Sequence, residues 1–171
     1  GCLPTFGSRW LVPRLNRFLS AHPSININLV SKIRRFEFES EDIQAAIYFG
    51  PAVWPNCHMR YLMGESVVAV AAPALVGNLP LARMLRSAPL IQHTTRPTLW
   101  REWLDHVGID TPGDQAGPRF EFYSLVIEAA LAGIGFALLP EFLIRRELDA
   151  KALVKISDIA MPCSDGYYYV Y

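Results

Sequence analysis

Phe6-Gly7-Ser8-Arg9-Trp10-Leu11-Val12-Pro13-Arg14-Leu15-Asn16-Arg17-Phe18 is the stretch on which the reading of this chain turns. Thr5, Gly7 and Ser8 are small and polar, suited to a tight loop and a helix N-cap. Leu11, Leu15, Phe18 and Leu19 then recur at i, i+4, i+7 and i+8, the stripe of a helix packed along one face. A helix start carries unpaired N–H groups and a partial positive charge, so the same residues can hold an anionic or polar ligand or simply cap a surface helix. Pro13 lies about one turn past Ser8 and lacks the N–H a regular helix needs there. The expectation is a short 3₁₀ turn first, or a regular helix that starts nearer Val12.

Working outward, His22-Pro23 stops that helix and Ile25-Asn26-Ile27-Asn28-Leu29-Val30 alternates as a half-buried strand does, with Ser31 and Lys32 at its end. Ser40–Gln44 predicts a capped helical turn, and Ala45–Phe49 a buried parallel strand ending at Gly50. A Val- and Ala-rich strand is expected over Ser66–Ala72, a helix over Leu79–Arg86 and a strand over Pro89–His93. Leu99–Val107 predicts a helix with Trp100, Trp103 and Leu104 on one face and Gly108 as its C-terminal cap. A loop over 109–117, a strand at Phe120–Phe122 and a helix over Leu125–Ala132 follow. Strands are expected at Phe136–Leu139, Leu153–Ile156 and Tyr167–Tyr171, with a helix from Pro140 to Leu148. This alternation makes the chain α/β with a largely parallel sheet. Candidate crossovers near Ala72–Leu75 and Ile156–Met161 point to two halves; if the last strand returns to the first half, the chain forms two lobes, 1–72 plus 158–171 and 73–157, with a cleft between them.

At 171 residues, 51% of them apolar, the chain can bury a real core. Its 16 Lys and Arg balance 16 Asp and Glu, which argues against this segment gripping nucleic acid by itself. Cys2, Cys57 and Cys163 have neither CxxC spacing nor a His cluster beside them, so no disulfide framework and no metal site is implied. A reduced cytoplasmic setting is the natural reading. No signal peptide is visible, and the abrupt start suggests that the true N-terminus lies upstream. The apolar run 125–144 is interrupted by Glu128, Gly133, Gly135, Pro140 and Glu141, which marks buried core rather than a membrane span.

No catalytic constellation stands out. Gly133-Ile134-Gly135 follows a helix, the reverse of a dinucleotide loop, and reads as a helix C-cap entering a buried strand. The four His and scattered hydroxyls have no GxSxG or HExxH arrangement. Asp105 and His106 point in different directions from one helix. What remains is a set of small polar segments at strand ends, able to hold a small polar or anionic metabolite.

The ordered residues Phe6-x-x-Arg9-Trp10-Leu11-Val12-Pro13-Arg14-Leu15-x-Arg17-Phe18, His22-Pro23, Ala46-Ile47 with Gly50 and Trp54-Pro55 form a pattern. It continues through Glu65, Pro73-Ala74-Leu75, Trp100 with Trp103-Leu104, and Ala129-Ala130-x-x-Gly133-x-Gly135-x-Ala137-Leu138. Leu153-Val154 and Tyr167-Tyr168-x-Val170-Tyr171 complete it. The whole chain thereby resembles the effector-binding domain of LysR-type transcriptional regulators, in the branch around the glycine-cleavage activator and the β-lactamase regulator. The resemblance implies a two-lobe fold like that of type 2 periplasmic binding proteins, with two crossovers, and a ligand-sensing, oligomerising role without catalysis or cofactor. It implies effector contacts from Thr5, Phe6, Gly7, Ser8, Ser31 and Lys32, and from His93, Thr94, Thr95, Phe122, Tyr123 and Ser124. Tyr168 or Tyr169 is a further candidate. Leu11, Leu15 and Phe18 would meet Leu125, Glu128 and Ala129 of another subunit in a homodimer or homotetramer.

DNA would be bound only through a winged helix-turn-helix domain that this chain lacks, and no membrane partner is implied. Four departures bear on the ligand. Gln44 and Tyr48 stand where the branch has Asp and often Arg, Tyr123 replaces a small capping residue, and Lys151 replaces a Gly. The rival readings are a periplasmic solute-binding protein and, more remotely, an enzyme on the same fold.

Overall fold

A computed structural model describes residues 1–110 and 115–171; part of the loop expected over 109–117 lies outside them. In chain order the elements are α1 (Pro4–Phe6), a π-helical turn (Gly7–Leu11), α2 (Val12–Ala21), a 3₁₀ turn (Phe38–Ser40), β1 (Ala46–Gly50) and β2 (Met59–Ala71). There follow α3 (Leu81–Met84), β3 (Leu90–His93), α4 (Leu99–Val107), β4 (Arg119–Phe120) and α5 (Tyr123–Leu131). The chain closes with β5 (Phe136–Pro140), α6 (Arg145–Asp149), β6 (Val154–Lys155) and β7 (Met161–Val170). Two compact units result, Gly1–Glu65 with Cys163–Tyr171, and Ser66–Pro162. Both divisions between these units fall inside the long strands β2 and β7.

In the first unit β7 lies between β1 and β2, and β1 runs antiparallel to β7 from Ala46↔Val170 to Gly50↔Gly166. Cys2 adds a parallel rung to both Ile47 and Ser31. The strand expected over Ile25–Val30 does not form as a ladder. Cys2 N–H donates to the Val30 carbonyl and Lys32 N–H to the Cys2 carbonyl, each at 2.9 Å. At Pro4 the chain already turns helical, so no ladder continues along Ile25–Leu29, although Leu29 lies over Gly7. The side chains of Ile25, Ile27 and Leu29 are 38–41% exposed.

The helix also begins earlier than expected, at Pro4, and Ser8 is no cap: its hydroxyl donates to the Thr5 carbonyl at 3.3 Å. Across the π turn Val12 N–H donates to the Gly7 carbonyl, five residues back. That widened turn replaces the 3₁₀ turn considered above. Regular helix resumes at Val12, so Pro13 lies immediately after the π turn, at the start of α2. The apolar stripe of α2 is only partly covered by its own chain; Leu15 and Leu19 are half-buried, and none of its residues is fully buried. Aromatic rings fill this unit instead. Trp54, Phe36, Phe38 and Tyr48 cluster around Ala46 and Val170, while Phe6 stacks between Trp10 and Tyr167.

In the second unit the sheet is mixed rather than largely parallel. Residues Val67–Val70 of β2 pair antiparallel with β5, and Val70 and Ala71 with β6, while β3 pairs parallel with both β4 and β5. Several elements separate β2 from β5, so no single helical crossover forces them parallel. Val67 to Ala71 are fully buried, as a strand covered on both faces must be. Against the sheet pack Val126, Ile127, Ala129 and Ala130 of α5, with Ile144 and Leu153. Trp100 and Trp103 meet edge to face on α4, and the Trp100 indole N–H donates to the Ile91 carbonyl at 2.8 Å.

Helix α4 occupies the expected residues and ends at Gly108 with φ +71°. The Gly133-Ile134-Gly135 reading also holds. Gly133 takes φ +72° after α5, and Gly135 enters β5 so close to Pro89 that an added Cβ would lie 2.1 Å from its carbonyl oxygen.

Candidate functional site

Parallel strands β3 and β4 end side by side in the second unit, and α5 starts two residues after β4. Carboxyl ends of parallel strands are the edge where α/β sheets place ligands, because the following loops converge there and helix starts offer N–H groups. Thr94 N–H donates to the Phe120 carbonyl at 2.9 Å and ties the two loops together. The His93 imidazole lies against the Tyr123 ring, with centroids 4.3 Å apart, and its Nδ1 is 2.9 Å from the Thr95 hydroxyl. Arg96 donates through Nη1 to the Tyr123 hydroxyl at 2.8 Å. Burial, and then the neighbouring Arg96 charge, pull the His93 pKa down from 6.5 to about 4. The imidazole is therefore neutral at physiological pH and works as a hydrogen-bonding group, not a cation.

His93, Thr95, Tyr123 and Arg96 thus form one polar and aromatic platform, with Thr94 beside it through the Phe120 carbonyl. Phe122 is the residue before α5, and Ser124 lies in its first turn. Sequence reading placed these residues at strand ends; it did not show that Tyr123 bridges His93 and Arg96.

In the first unit Thr5, Phe6 and Gly7 are buried and Ser8 is exposed, all within the α1–π turn. π turns insert one extra residue into a helix and recur at functional sites. Ser31 is exposed on the rung beside Cys2. Lys32 follows it, but its ammonium is held by Glu41 at 2.5 Å and lies over the Phe36 ring. Any anion meeting Lys32 would have to share it with that carboxylate. Tyr168 is half-buried against Tyr61, and Tyr169 is exposed against Tyr171.

Of the residues expected to meet another subunit, Leu11 and Leu15 are half-buried, and Phe18 and Leu125 are exposed at 42% and 47%. Glu128 is exposed, whereas Ala129 is 4% exposed and belongs to its own unit's core. The three cysteines are free thiols. Burial pushes Cys2 up to about 11 and also raises Cys57, so neither is a ready thiolate. Among the described residues no group of three or more His, Cys, Asp or Glu could hold a metal ion, and no helix is long and apolar enough to cross a membrane.

The model of the LysR substrate binding domain matches residues 1–171, the full length of the chain. The chain belongs to that family. Among curated relatives of this LysR domain, the glycine cleavage system transcriptional activator of Escherichia coli K12 is 30% identical over 98% of the chain. The AhcY transcriptional activator HvrB of Rhodobacter capsulatus is 34% identical over 98%. The chain spans about half the length of these relatives, 56% and 57% respectively.

Among solved structures, the AmpR effector domain of Pseudomonas aeruginosa superposes with a TM-score of 0.86 at 24% identity. That match covers 99% of this chain and 82% of the other. The AmpR effector-binding domain of Citrobacter freundii gives 0.88 at 22%, covering 99% and 84%. The fold is thus that of LysR effector-binding domains, two-lobed and like a periplasmic binding protein. Relatives named as transcriptional activators and regulators do not favour the reading as a transport receptor.

Proposed function

We propose that this LysR domain is the ligand-sensing and oligomerising part of a bacterial, cytoplasmic transcription regulator, works without catalysis, and takes a small polar or anionic metabolite. The family match over the whole chain carries the reading, and the His93–Arg96–Tyr123 platform at the carboxyl ends of parallel strands supports it. The candidate ligand contacts are Thr5, Phe6, Gly7, Ser8 and Ser31 in the first unit, where Glu41 already shares the Lys32 charge, and His93, Thr94, Thr95, Phe122, Tyr123 and Ser124 in the second. Binding shifts the regulator between two states only as far as the metabolite's affinity for them differs. DNA contact belongs to a separate helix-turn-helix domain of the same regulator.

Joining this chain to a LysR-type winged helix-turn-helix domain, with the matching operator upstream of a reporter, tests the regulator reading. Metabolite-dependent reporter output is expected. Output that is constant over a broad metabolite panel, for a fusion that occupies the operator, goes against it. Ser8→Ala and Ser31→Ala should each weaken the response about tenfold, since one hydrogen bond is worth about 1–1.5 kcal/mol, and leave the melting temperature unchanged.

For the oligomer, Leu11, Leu15 and Phe18 on the first helix pack against Leu125 and Glu128 of α5 in a second copy, an isologous contact. The absence of any buried residue on α2 supports this, as do the exposed Ile25, Ile27 and Leu29 beside it. Leu15→Glu or Phe18→Glu should convert a dimer into a monomer in sedimentation, because each would bury an unpaired charge. An unchanged dimer mass goes against this interface.

A further inference from the structure

Glu65 is 5% exposed, a costly place for a carboxyl group unless donors meet it. They do: the Tyr167 hydroxyl donates to Oε2 at 2.8 Å and the Cys163 thiol to Oε1 at 3.6 Å. Tyr167 is itself buried and stacks on Phe6, with centroids 4.6 Å apart and planes at 24°. Phe6, 1% exposed, stacks in turn on Trp10 at 4.8 Å and 28°. An aromatic ring fixed only at Cβ can rock, whereas one held also at its hydroxyl presents a fixed face. A purely packing role is met at less cost by an apolar side chain of similar volume.

We propose that Glu65 is a positioning residue for the Thr5–Ser8 segment, acting through the Tyr167 hydroxyl and the Phe6 ring. The inference rests on reading that segment as part of the ligand site. Its mechanical content stands apart from any ligand. Glu65 fixes Tyr167, Tyr167 fixes the face of Phe6, and Phe6 with Trp10 holds the π turn that carries Gly7 and Ser8. Loss of the hydrogen bond loosens that turn and leaves the rest of the unit in place.

The test uses the chain labelled with 5-fluorotryptophan, the Trp10 ¹⁹F line being assigned by Trp10→Phe, together with amide hydrogen exchange. Tyr167→Phe and Glu65→Leu should shift or split the Trp10 line and speed exchange across Gly7–Leu11 about tenfold. Amides in β1 and in the second unit should keep their protection. Glu65→Gln, whose Oε1 still accepts from Tyr167, should restore the Trp10 line and slow exchange. An unmoved Trp10 line in the folded variants overturns the proposal, as does an even loss of protection throughout 1–65. Should Glu65→Leu fail to fold, Tyr167→Phe decides by itself. Neither readout contains a metabolite, so failure of the ligand-site reading shows separately, in binding assays.

Discussion

Gly135→Ala should destabilise the second unit by about 3 kcal/mol or more, the upper end for overpacking against rigid atoms. The new methyl carbon would sit 2.1 Å from the Pro89 carbonyl oxygen and 3.0 Å from its carbon, both backbone atoms with nowhere to move. That carbonyl accepts the Phe136 N–H at 2.9 Å, so retreat would break the first bond of β5 to its neighbour. Gly133→Ala makes the internal control. It has open space around the added Cβ and only its φ of +72° to oppose it, for an expected cost of about 1 kcal/mol. Urea titrations should separate the two variants clearly, and equal midpoints would show that β5 can shift away from Pro89.

Acidification should destabilise the protein through His93. Its pKa falls from 6.5 in the unfolded chain to about 4 in the folded state, because burial and then Arg96 oppose the imidazolium. Between those values the unfolded state binds a proton that the folded state refuses, so stability rises with pH across this window and is lost as pH falls from about 6.5 to about 4. Below about 4 both states are protonated and the loss stops growing. Allowing for the partial exposure of the ring, the loss amounts to about 2 kcal/mol. His93→Phe keeps a ring against Tyr123 and cannot titrate. It should flatten the pH dependence of the denaturation midpoint in that window, and an unaltered slope would show that other groups cause it.

How far the sequence reveals the fold depends on how local the determining contact is. Gly108, Gly133 and Gly135 announce their turns because a helix C-cap is written within a few residues, and α4 shows its buried Trp face by spacing alone. Ile25–Val30 has the alternation of a strand, but a strand also needs a partner. Pro4 takes the chain into helix after the single rung at Cys2. The stripe of α2 was legible as amphipathic, while its periodicity does not say what covers it. The antiparallel partners of β2 and β7 depend on pairings far apart in the chain, which composition does not encode.

The site divides along the same line. His93–Thr95 and Phe122–Ser124 lie at strand ends and could be named from sequence. The bonds from Arg96 to Tyr123 and from Tyr167 to Glu65 span 27 and 102 residues and are set by the fold alone. Lys32 illustrates the opposite case. A basic residue at a strand end suggests an anion site, and the carboxylate of Glu41 nine residues on already occupies it.

A thermal-shift titration against amino acids, dicarboxylates and sugar phosphates tests the central claim most directly. The account predicts that at least one compound, at a hundred times its dissociation constant, adds about 2.7 kcal/mol and raises the melting temperature by several degrees. It also predicts that this gain disappears in Ser8→Ala combined with Ser31→Ala and Ser124→Ala. A gain that survives intact in the triple variant would place the ligand elsewhere and contradict the account.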